Sequence, residues 1–168
     1  RDELDDAFYN VSVSEQLMDM LGPAINSGSG LFLYGSPGNG KSTVARCLTS
    51  CFGQEIWIPY AVIDGREIIT LFDPAYHQEV DQPGDRMPYD RRWVRVRRPT
   101  VIVGGELTLD SLEIRHDSTS NISEAPLQMK SNCGCLLIDD FGRQRLCPEQ
   151  LLNRWIIPLE NKHDYLTL

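Results

Sequence analysis

The sequence predicts an α/β protein built on a parallel sheet, and two short stretches and the distance between them carry that prediction. The first is Gly35-Ser36-Pro37-Gly38-Asn39-Gly40-Lys41-Ser42, which follows the apolar run Leu31-Phe32-Leu33-Tyr34 and opens a helix over residues 41–51. The second is Cys135-Leu136-Leu137-Ile138-Asp139-Asp140, an apolar run ending in two carboxylates about a hundred residues later. Strand–loop–helix, strand–helix, then a strand ending in acid is the alternation of a parallel sheet covered by helices.

Local pattern sets each element in turn. Ser12-Val13-Ser14-Glu15 reads as a capping box with Ser12 at the cap, and Val13, Leu17, Met20, Leu21 and Ala24 follow at helical spacing. This N-terminal helical segment covers about residues 12–28. Gly22-Pro23 interrupts or restarts it, and Asn26-Ser27-Gly28-Ser29-Gly30 ends it. Residues 31–34 form a short buried strand. Residues 56–62 read as a second strand, with Pro59 marking an edge or a bulge, and residues 65–72 read as a helix.

From residue 73 the pattern changes. Pro74, Pro83, Pro88 and Pro99, with Gly84 and Gly104-Gly105, break a stretch without helical periodicity. Residues 92–103 read as one or two strand pieces and Gly104-Gly105 as a turn. Leu107 and Leu109 fit a returning strand, and residues 109–112 fit a short helix equally well. Ser118-Thr119-Ser120-Asn121 is a polar loop, residues 125–130 are helical or irregular, residues 135–138 are a strand, and residues 150–157 are a helix with an apolar side. Two strand–crossover–strand units of ~30 residues each would fill about sixty of the hundred residues between the motifs. The surplus is an insertion, β-rich and placed at about residues 73–123, between the second strand and the strand that ends in Asp139.

The paired motifs carry the chemistry. The glycine-rich stretch matches the phosphate-binding P-loop in its residues and in its strand-before, helix-after setting. Its phosphate-binding residues are Gly35, Ser36, Pro37, Gly38, Asn39, Gly40, Lys41, Ser42 and Thr43. The glycines bring successive N–H groups onto phosphate oxygens, and the helix adds its unpaired donors and positive dipole end. Lys41 reaches the β- and γ-phosphates, and the Ser42 hydroxyl binds magnesium. Asp139, at the carboxyl end of its strand, holds the same ion directly or through water, and Asp140 polarises the attacking water as general base. Lys41, Asp139 and Asp140 are thus the predicted catalytic residues, with Ser42 and Asp139 the predicted metal ligands.

Asp139-Asp140-Phe141-Gly142 and Asn161-Lys162-His163-Asp164 also imitate two GTPase signatures. The residues between Gly142 and Asn161 read as one helix, too little for the crossovers such a protein needs, so guanine specificity is not expected.

With 168 residues and 41% hydrophobic content, a single domain over residues 1–168 with a real core is expected. No apolar run approaches the ~20 residues of a membrane span. The N-terminus is acidic and has no h-region, so it is not a secretory signal, and without an initiator Met the chain reads as part of a longer protein. A net charge of −8 argues against a chain coated in nucleic acid. Cys47, Cys51, Cys133, Cys135 and Cys147 fit no zinc spacing and read as reduced cytosolic thiols.

These residues resemble the AAA+ ATPases, whose loop form G-x-P-G-x-G-K-[ST] is similar to the stretch from Gly35 to Ser42. The segment Ala125-Pro126-Leu127-Gln128-Met129-Lys130-Ser131-Asn132-Cys133-Gly134, running into the second motif, resembles the branch of MoxR-type ATPases, magnesium-chelatase subunits and enhancer-binding activators. That branch also inserts residues into helix two. The resemblance spans residues 31–168. It implies a three-layer P-loop NTPase core with ATP or ADP and Mg²⁺ as ligands. It also implies hydrolysis of ATP and a homo-oligomeric ring acting on a macromolecular (protein) partner, while the reduced thiols imply a cytoplasmic location.

Three departures accompany the resemblance. Asp140 stands where the family has Glu, no strand ending in a polar sensor follows, and no arginine finger or lid follows. In the family's sheet a further strand lies between the P-loop strand and the strand ending in Asp139, so the native protein is expected to continue past Leu168. Two other readings therefore stay open: a nucleotide-gated scaffold with little hydrolysis, and a helicase-loader- or initiator-like ATPase on DNA.

Arg91-Arg92-Trp93-Val94-Arg95-Val96-Arg97-Arg98 holds five of the thirteen arginines. As a strand it places Arg91, Trp93, Arg95 and Arg97 on one face and Val94 and Val96 on the other. Three readings fit: a solvated face paired with acids such as Asp81, Asp85, Asp90 and Glu106, a subunit or protein contact, and a nucleic-acid grip. Arg143, Arg145 and Arg154 are candidates to face a neighbour's nucleotide in a ring.

Overall fold

The computed structural model describes residues 2–36, 38–51, 53, 55–80 and 89–167. Pro37 of the loop, and Asp81, Pro83, Gly84, Asp85 and Pro88 of the proline-rich stretch, lie outside the described residues. Among the described residues the chain is a mixed α/β protein with three small sheets. Its helices are α1 (Asp2–Ala7), α2 (Glu15–Asn26), α3 (Lys41–Ser50), α4 (Leu127–Lys130) and α5 (Pro148–Asn161). Its strands are β1 (Glu55–Pro59), β2 (Ala61–Asp64), β3 (Glu67–Thr70), β4 (Trp93–Arg97), β5 (Thr100–Val103), β6 (Arg115–Asp117), β7 (Ile122–Glu124) and β8 (Cys135–Ile138). A short 3₁₀ helix spans Leu109–Leu112.

β1 and β4 form an antiparallel pair, β5 and β8 a parallel pair, and β2-β3-β7-β6 a mixed sheet in which only β3–β7 is parallel. Three apolar clusters hold these parts. Val101 and Val103 of β5 pack with Leu107 and Leu151. Ile58, Ile69, Val94 and Val96 join the β1–β4 pair to β3. Phe8, Leu21, Val44 and Leu48 bind the first three helices together.

Several expectations hold. The strand pieces at 92–103 are β4 and β5, the strand at 135–138 is β8, and α5 covers the predicted helix and extends it at both ends. Of the two readings at 109–112, the helical one is found. The chain turns at Tyr60, directly after Pro59, and divides the predicted strand at 56–62 into β1 and β2.

Others are corrected. Residues 31–34 form no strand: Leu31, Phe32 and Tyr34 are exposed, Leu33 packs against the helical cluster, and the Phe32 ring meets Phe141 edge-on at 6.1 Å. A strand needs a neighbour for its ladder, and among the described residues β8 gives its ladder to β5. The helix predicted at 65–72 is β3. Gly65 has φ 58 at the first central position of a two-residue turn, so Asp64-Gly65-Arg66-Glu67 closes a β2–β3 hairpin. The N-cap is Ser14, whose Oγ accepts the Leu17 N–H at 3.2 Å, not Ser12, and the helix runs through Gly22-Pro23 unbroken. Strands from within residues 73–123 pair on both sides of that stretch, β4 with β1 and β5 with β8.

Candidate functional site

α3 is fixed from below, because Val44 and Leu48 pack against Phe8 and Leu21. The glycine-rich loop enters it through Gly38 (φ 84) and Gly40 (φ 69), left-handed positions that cost other residues roughly 1–2 kcal/mol. Gly40 is the N-cap of α3 and brings no side chain to close it, so the positive end of the helix opens onto the loop. Gly35, Ser36, Gly38, Asn39, Gly40 and Thr43 are exposed. Lys41 folds back over the loop, its Nζ donating to the carbonyls of Gly35 (3.1 Å) and Ser36 (3.0 Å).

On the other side of the site, the Asp139 N–H donates to Val103 O at 2.8 Å. The residue therefore continues the β5–β8 ladder by one bond, and its carboxylate stands at the carboxyl end of the pair. Ser42 Oγ donates to Asp139 Oδ2 at 2.7 Å, a contact that joins residues 97 positions apart. That hydrogen bond, then the Asp140 N–H on Oδ1 (2.9 Å), hold the Asp139 carboxyl below the usual range against a small opposing effect of burial, and the charges of Lys41 and Arg46 add to it. Asp140 is exposed, with a left-handed backbone at φ 51.

The sequence reading passes over Gln144. Its Nε2 donates to Asp139 O (2.8 Å) and Asp140 O (3.1 Å), and its Oε1 accepts the Gly142 N–H at 2.7 Å. An amide side chain bonding its own nearby backbone is a turn device, and nothing in the sequence ties that device to the acid pair.

Among the described residues, no group of three or more His, Cys, Asp or Glu side chains is placed to hold a metal. The Ser42 hydroxyl and the Asp139 carboxylate offer two hard oxygens. That donor set fits Mg²⁺, which takes one or two protein oxygens and fills its shell with water and phosphate.

The arginine run has the predicted faces: Val94 and Val96 are buried, while Trp93 and Arg97 are exposed. Much of its charge is engaged. Arg92 pairs with Asp90 at 2.6 Å, Arg95 pairs with Glu55, and the Arg98 guanidinium donates to the carbonyls of Gly53 and Cys133. Glu106 instead accepts the Gly104 N–H at 2.9 Å. Arg154 faces inward, bound to Glu113 (2.8 Å) and Asp164 (2.7 Å), whereas Arg143 and Arg145 are exposed. Asp164 of the GTPase-like string thus has its carboxylate committed to Arg154. None of the five cysteines forms a disulfide.

Fold and site together define a mixed α/β protein in which a glycine-rich loop and an acid-tipped strand meet through one hydrogen bond. No family model matches the chain, and no curated protein matches it. Among the described residues, no helix is long and apolar enough to cross a membrane.

Proposed function

We propose that the chain binds ATP with Mg²⁺ and hydrolyses it to ADP and phosphate. The observation that carries this reading is the 2.7 Å hydrogen bond from Ser42 to Asp139, which joins the two residues that the sequence nominates as metal ligands. The N–H groups of the loop and the first turn of α3 bind the phosphate chain. Lys41 exchanges the carbonyls of Gly35 and Ser36 for phosphate oxygens. Ser42 and Asp139 would hold Mg²⁺, which would supply charge neutralisation of the phosphate chain when bound. Asp140, exposed beside them, accepts a proton from the attacking water.

The fold that goes with this reading is the three-layer AAA+ core. Its support is the parallel β5–β8 pair and the acid at the carboxyl end of β8. In a ring, the exposed Arg143 and Arg145 are the candidates to reach a neighbour's nucleotide, and Arg154 is not, because Glu113 and Asp164 occupy it.

Lys41→Ala should abolish ATP binding in calorimetric titration, and Asp140→Asn should retain binding while lowering turnover by about a hundredfold or more. Tight ATP binding by the Lys41→Ala variant would overturn the assignment. One observation favours a second reading, a nucleotide-gated switch: the base is the short Asp140 rather than Glu. Steady-state hydrolysis that rises with protein concentration supports the ring enzyme, and flat, near-zero turnover supports the switch.

A further inference from the structure

We propose that Gln144 is a positioning residue that sets the orientation of the Asp139–Asp140 acid pair, an inference that rests on the ATP-binding reading of the same site. Both donors and the oxygen of the side-chain amide are engaged. Both Nε2 hydrogens go to consecutive carbonyls, those of Asp139 and Asp140, and Oε1 takes the Gly142 N–H. The opposite amide orientation would set Oε1 against two carbonyl oxygens and the NH₂ against an N–H, so this network admits one orientation only.

The turn it closes is not self-supporting. Asp140 (φ 51) and Gly142 (φ 94) are two left-handed residues within three positions, and residues 140–143 are all exposed. One other hydrogen bond closes the turn, from the Arg143 N–H to Asp140 O at 2.9 Å. Gln144 itself stands on firm ground, because the Arg145 N–H donates to Gly105 O at 3.0 Å, in the turn that follows β5. The side chain is therefore a strut from the end of β5 back to the end of β8.

The mechanical consequence falls on the carboxylates. The Asp139 N–H is held by Val103, its carbonyl by Gln144, and its carboxylate by Ser42 and the Asp140 N–H. Rotating the peptide between Asp139 and Asp140 breaks the Gln144 bond and the Asp140 N–H bond together. Asp139 then loses the contact that fixes Oδ1 while Oδ2 faces Ser42, and Asp140 loses its heading. No other common side chain meets all three demands. Asn is a methylene too short, Glu has no donors when ionised, and Lys and Arg have no acceptor for Gly142.

Two variants of the full chain, Gln144→Ala and Gln144→Glu, test this with two readouts. In the ligand-free protein, amide exchange at Asp140 should speed in both variants, and at Gly142 in Gln144→Ala only, because Glu keeps the acceptor. In the ATP-loaded protein, Mg²⁺ affinity should fall about 10–100-fold in both variants, the range typical of residues that orient a metal ligand. ATP affinity in EDTA should stay within about twofold of the parent chain, since the loop and Lys41 are untouched. Unchanged exchange at Asp140 overturns the strut. Parent-like Mg²⁺ affinity, or an equal loss of ATP affinity in EDTA, overturns the positioning role. A parent chain that binds no ATP, with Lys41→Ala indistinguishable from it, overturns the functional reading and takes this role with it; the unsubstituted protein reveals that case by itself.

Discussion

At Asp140 the backbone chooses the acid. Its φ of 51 lies in the left-handed region, where Asp and Asn are several-fold enriched because a short polar side chain is tolerated there. Glu has no such advantage, so the residue that departs from the AAA+ pattern is the one this turn accommodates. Asp140→Glu should lower stability by up to about 1 kcal/mol in urea denaturation; a variant as stable as its parent would contradict the argument. The loop and both acids were nominated from the sequence by residue type alone, and the fold brings Ser42 within a hydrogen bond of Asp139. Gln144 was not nominated, because its role is defined by three backbone atoms that only the folded turn brings within reach.

Elements were legible where pattern and packing agree. β4 alternates as its sequence does, with Val94 and Val96 inward, whereas α5 buries Leu151 and leaves Leu152, Ile156 and Ile157 exposed. Two failures have distinct causes. At 65–72 an apolar run suits a helix and a strand equally, and the Asp64-Gly65 turn decides for the strand. At 31–34 the sequence specified an apolar run but not a partner for its ladder. The cap of α2 is a third case: two serines lie two residues apart, and the one whose Oγ meets the N–H three residues on is Ser14. Ser14→Ala should therefore cost about 1 kcal/mol. Ser12→Ala should stay within about 0.5 kcal/mol. Thermal melts of the pair check the assignment, and a larger loss at Ser12 would reverse it.

The molecule as a whole is tied together by a few buried polar links that no local pattern announces. Lys130, with a side chain only 3% exposed, donates to Asp73 Oδ2 at 2.7 Å and to Glu124. It also lies 5.2 Å from the centre of the Tyr76 ring. Burial by itself would lower its pKa, and the two carboxylates outweigh that and raise it. His77 Nδ1 accepts the Asp73 N–H, so its Nε2 carries the proton and donates to Lys130 O; one neutral tautomer satisfies both bonds. Lys130→Ala would leave the Asp73 carboxylate only the Ala75 N–H among the described residues, while Glu124 keeps Arg115. The expected loss is about 3 kcal/mol, the low end for a broken buried pair because both acids keep some solvent; a loss below 1 kcal/mol in chemical denaturation, about the worth of a surface pair, would show that the cluster is not a tie. The link between Ser42 and Asp139 has a consequence in time. A ribosome adds roughly 5–20 residues each second, and 97 positions separate the two side chains. The hydroxyl half of the proposed metal site thus leaves the synthesis channel roughly 5–20 seconds ahead of its carboxylate half. Throughout that interval the nascent chain carries the glycine-rich loop with no acid opposite it.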